Sequence, residues 1–486
     1  MADSWSSSSS VDLHLTWRGE GGSRGLSAVL RTAIRDGRLV PGAEMPSTRV
    51  LATELGVARG TVTRAYGDLA AEGYLHSAQG APTTVARIAA PPAHPVPVRP
   101  RPWLGDAARW DLMPGRPDLS SFPRTVWGAA VRSVLSSAPS ETFGYADVGG
   151  AWPLREALAG YLGRTRGVLV DPDRVLVCGG FSHAVATASG VLRDVGVQRV
   201  AFENPSLSVF RDLVAAHGMR IQPVPVDDLG IRVADIDAPA VVVTPAHQFP
   251  TGVTLAPRRR AELIGWAADT DGLVIEDDYD GEFRFDGQQV GAVQAMAPEH
   301  VVYTGTVSKT LAPALRIGWL VPPRSLVDRF RDVLTRGGWR PPILEQLALA
   351  AMLENGDYDR HVRRRRRCYR DRRQRLCAAL NAAGLPDGVR ASGIAAGLQT
   401  TVLTPGIPEA VMRAAARRHD VSVAYLSQFW MGSAPGPEGV VIGYSTPADH
   451  AFTPALEAFL AALRSAADAP AEVPTDAARE LTGPRR

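Results

Sequence analysis

The sequence has almost no lysine. Of its 53 basic side chains, 52 are arginine and one, Lys309, is an amine. A guanidinium stays protonated and is a poor nucleophile, whereas an amine whose pKa is lowered by its site can condense with a carbonyl. Position 309 is therefore a candidate for chemistry that arginine cannot perform. Cysteine is also scarce: Cys178, Cys368 and Cys377 are too few and too scattered for a disulfide framework or a four-thiolate zinc site, so a reducing compartment and no metal are expected. No apolar run reaches the roughly 18 residues of a spanning helix, and the Ser-rich start lacks the apolar centre of a signal peptide. These absences predict a cytoplasmic protein with no membrane partner.

What is present is 486 residues, 45% apolar, enough for two or three cores. Composition divides them. Residues 1–23 are Ser- and Gly-rich and read as a flexible arm, in which Val11–Leu15 could form a short strand. Residues 24–88 carry three short helical patterns and a hairpin. Residues 89–109 are Pro-rich and read as a stiff, extended linker. Residues 110–465 alternate strands with helices, and 466–486 form a polar tail expected to be disordered.

In the first module Leu26, Leu30, Ala33 and Ile34 share one helical face. Ser47 is placed to cap a second helix carrying Val50, Leu51 and Leu55, and Val62, Ala65, Tyr66 and Leu69 mark the buried face of a third. A two-stranded wing around Gln79-Gly80 completes an arrangement suited to DNA. With the third helix's apolar side inward, Arg59, Thr61, Thr63 and Arg64 are free for a major groove, while Arg49 and the Ser47-capped helix start meet phosphates. Residues 24–87 hold 8 Arg against 5 Asp plus Glu, so a single copy would bind weakly and two copies per DNA are expected.

In the large segment, short β-branched runs begin near Arg174, Arg199, Ala240, Gly272 and His300 and end in turn residues. That pattern predicts a largely parallel sheet with ligands bound at the carboxyl ends of its strands. Lys309 follows the last of them in Thr304-Gly-Thr-Val-Ser-Lys-Thr. Pyridoxal phosphate (PLP) requires an amine for its aldehyde, a carboxylate for its ring nitrogen, a donor at its phenolic oxygen and a phosphate cradle. Lys309, Asp277, Tyr279 and the small residues Thr306 and Ser308 with Arg316 supply one candidate for each, Asp277 and Tyr279 pointing the same way because they are two apart on an extended chain.

The stretch from Leu39-Val-Pro-Gly-Ala-Glu-Met-Pro-Ser-Thr-Arg-Val-Leu-Ala through Leu55-Gly-Val-Ala-Arg-Gly-Thr-Val resembles the winged helix-turn-helix of the GntR family. That resemblance assigns DNA contact to Arg49, Arg59, Thr61 and Gly80. Gly179-Gly180, His247-Gln-Phe-Pro-Thr-Gly, Glu276-Asp-Asp-Tyr, Ser308-Lys309 and Arg316, in that order, resemble the fold-type-I aminotransferase scaffold. This implies that Gly180 and Phe181 give backbone amides to phosphate and that His247 and Gln248 lie near the ring edge. Joined, the two halves resemble the MocR type of transcriptional regulator: an N-terminal winged helix-turn-helix, then an α/β PLP-dependent transferase domain with a mainly parallel sheet and a smaller C-terminal subdomain. The resemblance implies a homodimer that binds a double-stranded DNA operator and senses a small effector, either PLP itself or an amino compound, with Lys309 forming an imine with the cofactor.

Two positions depart from the family pattern. Leu207 stands where an aromatic usually stacks on the ring, and Val441 in Val440-Val-Ile-Gly-Tyr stands where aminotransferases carry the arginine for a substrate carboxylate. Transamination is therefore not the expected purpose, although a catalytically active aminotransferase with an appended DNA-binding domain stays open as the alternative. Residues 363–375 contain nine Arg; Tyr358, Val362, Tyr369, Leu376 and Leu380 recur at helical spacing, so most of these arginines are expected on a wet face. His183 and His361 are read as structural.

Overall fold

The computed structural model describes residue 17 and residues 20–78, 81–87, 108–285, 290–432 and 436–469. The arm at 1–16, the wing tip Gln79-Gly80, the bulk of the linker and the tail from 470 lie outside these residues. The chain forms two compact units, divided between Arg101 and Pro102.

In the first unit, helices α1 (Gly22–Arg35), α2 (Thr48–Glu54) and α3 (Arg59–Ala71) precede an antiparallel pair, β1 (Leu75–His76) and β2 (Thr84–Val85). All the positions expected inward on α1 and α3 are buried, with Leu39, Met45, Leu51 and Val85 closing the core. Ser47 accepts a hydrogen bond from the Val50 amide at 3.3 Å, capping α2, while the Val50 side chain itself is exposed. The Tyr66 hydroxyl donates to the Pro46 carbonyl at 2.9 Å and fixes the approach to that cap.

The second unit is built on an eight-stranded sheet: β3 (Leu176–Cys178), β4 (Arg199–Asn204), β5 (Arg220–Asp227), β6 (Gly230–Ile231), β7 (Ala240–Val243), β8 (Leu273–Asp277), β9 (Val301–Thr306) and β10 (Gly318–Val321). Their order is β3-β10-β9-β8-β7-β4-β5-β6. Neighbours from β9 through β5 are parallel, and β10 runs against both β9 and β3. Sequence patterning finds five of these strands and misses the short β6 and β10 and also β5, whose Pro223 and Pro225 disguise it. Both prolines share one parity, and the far side of β5 is paired only at Val226 and Asp227, so no ladder donor is lost there. Helices cover both faces, burying Val, Ile and Leu side chains in separate clusters above and below the sheet.

A four-stranded antiparallel sheet (Arg390–Ser392, Thr400–Leu403, Gly439–Ile442, Ala424–Tyr425) forms the smaller C-terminal subdomain. The strand Trp110–Asp111 pairs in parallel with Val421–Ser422, and Leu112 is buried in this subdomain's core. On the arginine-rich helix (Asp357–Ala382), Arg363, Arg364, Arg367, Arg370 and Arg375 are exposed on the expected wet face, whereas Arg365 and Arg372 are buried with Tyr369 and share Asp118 and Asp449 as ion partners. Arg366 and Arg373 donate to the carbonyls of Glu282 and Gly393. Four of the nine arginines thus clamp this unit together. Among the described residues no helix is long and apolar enough to cross a membrane.

Candidate functional site

At the carboxyl ends of the parallel strands lies a cavity of about 1030 Å³. Gly180 after β3, Glu203 on β4, Thr244 after β7, Asp277 on β8 and Thr306 on β9 all reach it, as does Lys309. The Lys309 Nζ donates to the Gly115 carbonyl at 2.6 Å. Burial lowers the pKa of this amine, Asp277 and Asp280 pull it back up, and the charge of Arg116 adds to the lowering.

The cradle forms because the chain reverses between β9 and β10. The turn Pro313–Leu315 ends at Arg316, which adopts a left-handed conformation with φ +51°. This sets Arg316 beside Gly180. A Cβ built on Gly180 would lie 3.6 Å from Thr306 Oγ1, 3.8 Å from Ser308 Oγ and 3.8 Å from Arg316 Nη1. Three hydrogen-bonding side chains therefore converge on one backbone atom at the start of the helix Phe181–Asp194, whose first N–H groups no side chain caps. Gly180 has φ +88° and ψ −177°, a conformation open to glycine alone, and a side chain at Gly318 would stand 2.7 Å from its Cα. A helix N-terminus with an arginine and two hydroxyls is suited to a phosphate.

Asp277 lies deep in the cavity. Its Oδ1 is buried and has no hydrogen-bond partner among the described residues, and burial drives its carboxyl well above the usual carboxylate range, with Lys309 opposing. Such an orphan is costly unless a donor completes it, and a protonated pyridine nitrogen is such a donor. Tyr279 also lines the cavity; its hydroxyl accepts from Gln399 Nε2 at 2.8 Å and donates to the His247 carbonyl at 3.1 Å. The amine, the orphaned carboxylate, the phenol and the anion cradle are together the donor set that PLP needs.

Where the resemblance put His247 and Gln248 at the ring edge, the structure places them behind the wall. His247 Nδ1 pairs with Asp280 Oδ2 at 2.8 Å, and a Cβ on Gly397 would come within 2.6 Å of that oxygen. Gln248 Nε2 donates to the carbonyls of Pro205 and Phe249, tying two loops together. Neither lines the cavity, whereas Phe249 does. His183 accepts from the Gly179 amide and packs on Trp339, and His361 meets the Thr310 carbonyl. Leu207 lines the cavity and Val441 is buried beneath it among Phe249, Tyr279 and Phe429. Sequence reasoning missed Gly115, Arg116, Glu203, Asp280 and Gln399. Of these, Asp280 adjoins the Glu276-Asp-Asp-Tyr motif and Glu203 begins the Glu-Asn-Pro that precedes Leu207, while the other three carry no local signal.

In the first unit Ser47, Arg49, Arg59, Thr63 and Arg64 are exposed and Thr61 is half-buried. Arg59 Nε donates to Thr48 Oγ1 at 3.3 Å, joining the starts of α2 and α3. Gly80 falls outside the described residues.

Comparison with known proteins matches residues 23–85 to the bacterial regulatory proteins of the gntR family and residues 117–418 to aminotransferase class I and II. The chain is 32% identical to the probable rhizopine catabolism regulatory protein MocR of Rhizobium meliloti, over 87% of its length and 90% of the relative's. It is equally 32% identical to the HTH-type pyridoxine biosynthesis transcriptional regulator PdxR of Corynebacterium glutamicum, over 87% and 91%. Among solved structures, an archaeal alanine:glyoxylate aminotransferase superposes with a TM-score of 0.67 at 22% identity, covering 75% of this chain and 92% of that one.

Proposed function

This chain belongs to the HTH-type regulators that join a GntR-family DNA-binding domain to an aminotransferase class I and II domain, and we propose that it binds PLP through Lys309 and lets a small effector in that cavity govern its grip on an operator. One observation supports the reading most: the unpartnered carboxylate oxygen of Asp277 shares a cavity with the sequence's single amine and with the cradle at Gly180.

When bound, PLP supplies an aldehyde that condenses with amines and a ring that withdraws electrons. The residues supply the rest. Asp277 would hold the ring nitrogen protonated. Tyr279, steadied by Gln399, would donate at the phenolic oxygen. Phe181, Thr306, Ser308 and Arg316 would hold the phosphate, and Lys309, its pKa lowered by burial, is the nucleophile. Val441 in place of an arginine removes the usual bidentate anchor for an amino-acid carboxylate, which disfavours steady transamination.

Ser47, Arg49, Arg59, Thr61, Thr63 and Arg64, together with Gly80 at the wing tip, are the operator contacts in this reading. The protein acts in the cytoplasm as a homodimer, because two weak readers carried by one dimer gain avidity on a doubled site. Effector occupancy then favours one spacing of the readers over another. The test is an absorbance spectrum of the purified protein and of Lys309→Ala, run beside binding to its own upstream DNA. A band near 420 nm that disappears in the variant, with DNA affinity responding to PLP or to an amino compound, is the expected result. A colourless protein that refuses excess PLP would overturn the proposal.

A further inference from the structure

Four arginines line the cavity, and three have evident employment or lie at its rim. Arg316 faces the Gly180 cradle. Arg413 is clipped to Glu409 at 2.6 Å and lies over the Tyr425 ring at 3.7 Å. Arg417 is exposed on the same helix, Glu409–Arg418. The fourth, Arg116, follows the residue whose carbonyl holds Lys309 Nζ, and its charge acts on that amine. The only ion partner of Arg116 among the described residues is Asp111, at 2.9 Å. Both side chains are about 40% exposed, 38% and 42%, and exposed ion pairs are weak enough to exchange partners readily.

Resting on the PLP reading above, we propose that Arg116 is the anion subsite for the effector, replacing the arginine that Val441 displaces, and that the effector is an amine bearing a carboxylate. An incoming carboxylate takes the Arg116 guanidinium from Asp111 while its amine faces Lys309. The geometry favours this because the guanidinium offers a fork suited to a carboxylate and is held only by an exposed partner. Asp111 also accepts from the Met113 amide at 2.9 Å, so it keeps a partner after the exchange and the swap leaves no buried charge behind. The subsite adjoins Gly115, which meets the lysine across 194 residues.

The experiment is calorimetric titration of PLP-loaded protein with glycine, 3-aminopropanoate, 4-aminobutanoate and, as the probe without a carboxylate, n-propylamine. Wild type is expected to bind the best of the three amino acids at least tenfold more tightly than n-propylamine. Arg116→Gln should reduce that preference below twofold, with the 420 nm band still present to report that cofactor is loaded. Arg116→Lys should keep part of it. Asp111→Asn, which frees the guanidinium, should raise amino-acid affinity severalfold, and this variant carries the test should Arg116→Gln fail to fold. A preference that survives Arg116→Gln, no gain in Asp111→Asn, or a wild type that shows no preference, binding of neither probe included, overturns the proposal. Failure of the cofactor reading is separate and visible first, as the absence of the band from wild type.

Discussion

Replacing Asp277 by Asn should move the stability of the cofactor-free and cofactor-loaded protein in opposite directions. In the cofactor-free state the Asp277 Oδ1 is buried without a hydrogen-bond partner among the described residues, and burial raises its pKa well above the carboxylate range. A buried unsatisfied polar group costs about 1–3 kcal/mol, and more if charged. Asn carries no charge but keeps an unpartnered polar oxygen, so the cofactor-free variant should lose only the charge-dependent part of that cost and melt higher at a pH where the wild-type carboxyl is ionised. With PLP the sign reverses. Loss of a charge-assisted hydrogen bond to the ring nitrogen should weaken PLP binding by roughly 1.5–3 kcal/mol, or about 10- to 150-fold. The pH dependence adds a second readout. Because the folded-state pKa is raised, the folded cofactor-free protein holds a proton that the unfolded chain has lost, so its stability falls as pH rises from the unfolded value toward the folded one, and Asn should flatten that slope. Differential scanning calorimetry with and without PLP, at several pH values, measures all three. A variant that melts lower without PLP and binds it as wild type does would refute the reasoning and make Asp277 a counter-ion for Lys309 alone.

Further outcomes follow from other residues. Gly180→Ala places a β-carbon at φ +88° and into the cradle; it should cost about 1–3 kcal/mol of stability and abolish competition between inorganic phosphate and PLP, measured by equilibrium dialysis. Glu203 is buried, and that burial raises its pKa to about 7. Its folded form keeps a proton between about pH 4.5 and 7, so stability should decline across that window, and urea titrations of Glu203→Gln should show a shallower decline. Arg64→Ala and Arg49→Ala should weaken operator binding; if the residue contacts a phosphate, the salt slope should fall by about one, whereas a base contact should show as relaxed sequence preference. An unchanged slope together with unchanged preference would remove that residue from the interface.

Much of this molecule is legible in sequence where local pattern and chemistry coincide. The inward faces of α1 and α3 can be read from apolar spacing, and β7 and β8 from β-branched runs that are buried on both sides. The lysine at 309 stands out because every other cation is arginine, and Asp277 and Tyr279 because two residues of extended chain share a side. What stays hidden depends on long-range closure. Gly115 meets Lys309 across 194 residues, and no local signal marks it. Pro223 and Pro225 argue against a strand until the sheet order shows that one side of β5 is almost unpaired. Most of the arginine run is exposed as its pattern suggests, but Arg365 and Arg372 look like solvated charge until Asp118 and Asp449, from distant loops, pair with them. His247 reads as a ring neighbour until the fold turns its imidazole onto Asp280.

The short parallel pairing of Trp110–Asp111 with Val421–Ser422 decides where the tether to the DNA reader is moored. Its first residues are stitched to the smaller C-terminal layer and take no place in the eight-stranded platform. Any pivoting of that layer against the platform, as when a lid shuts over a guest, would drag the mooring with it.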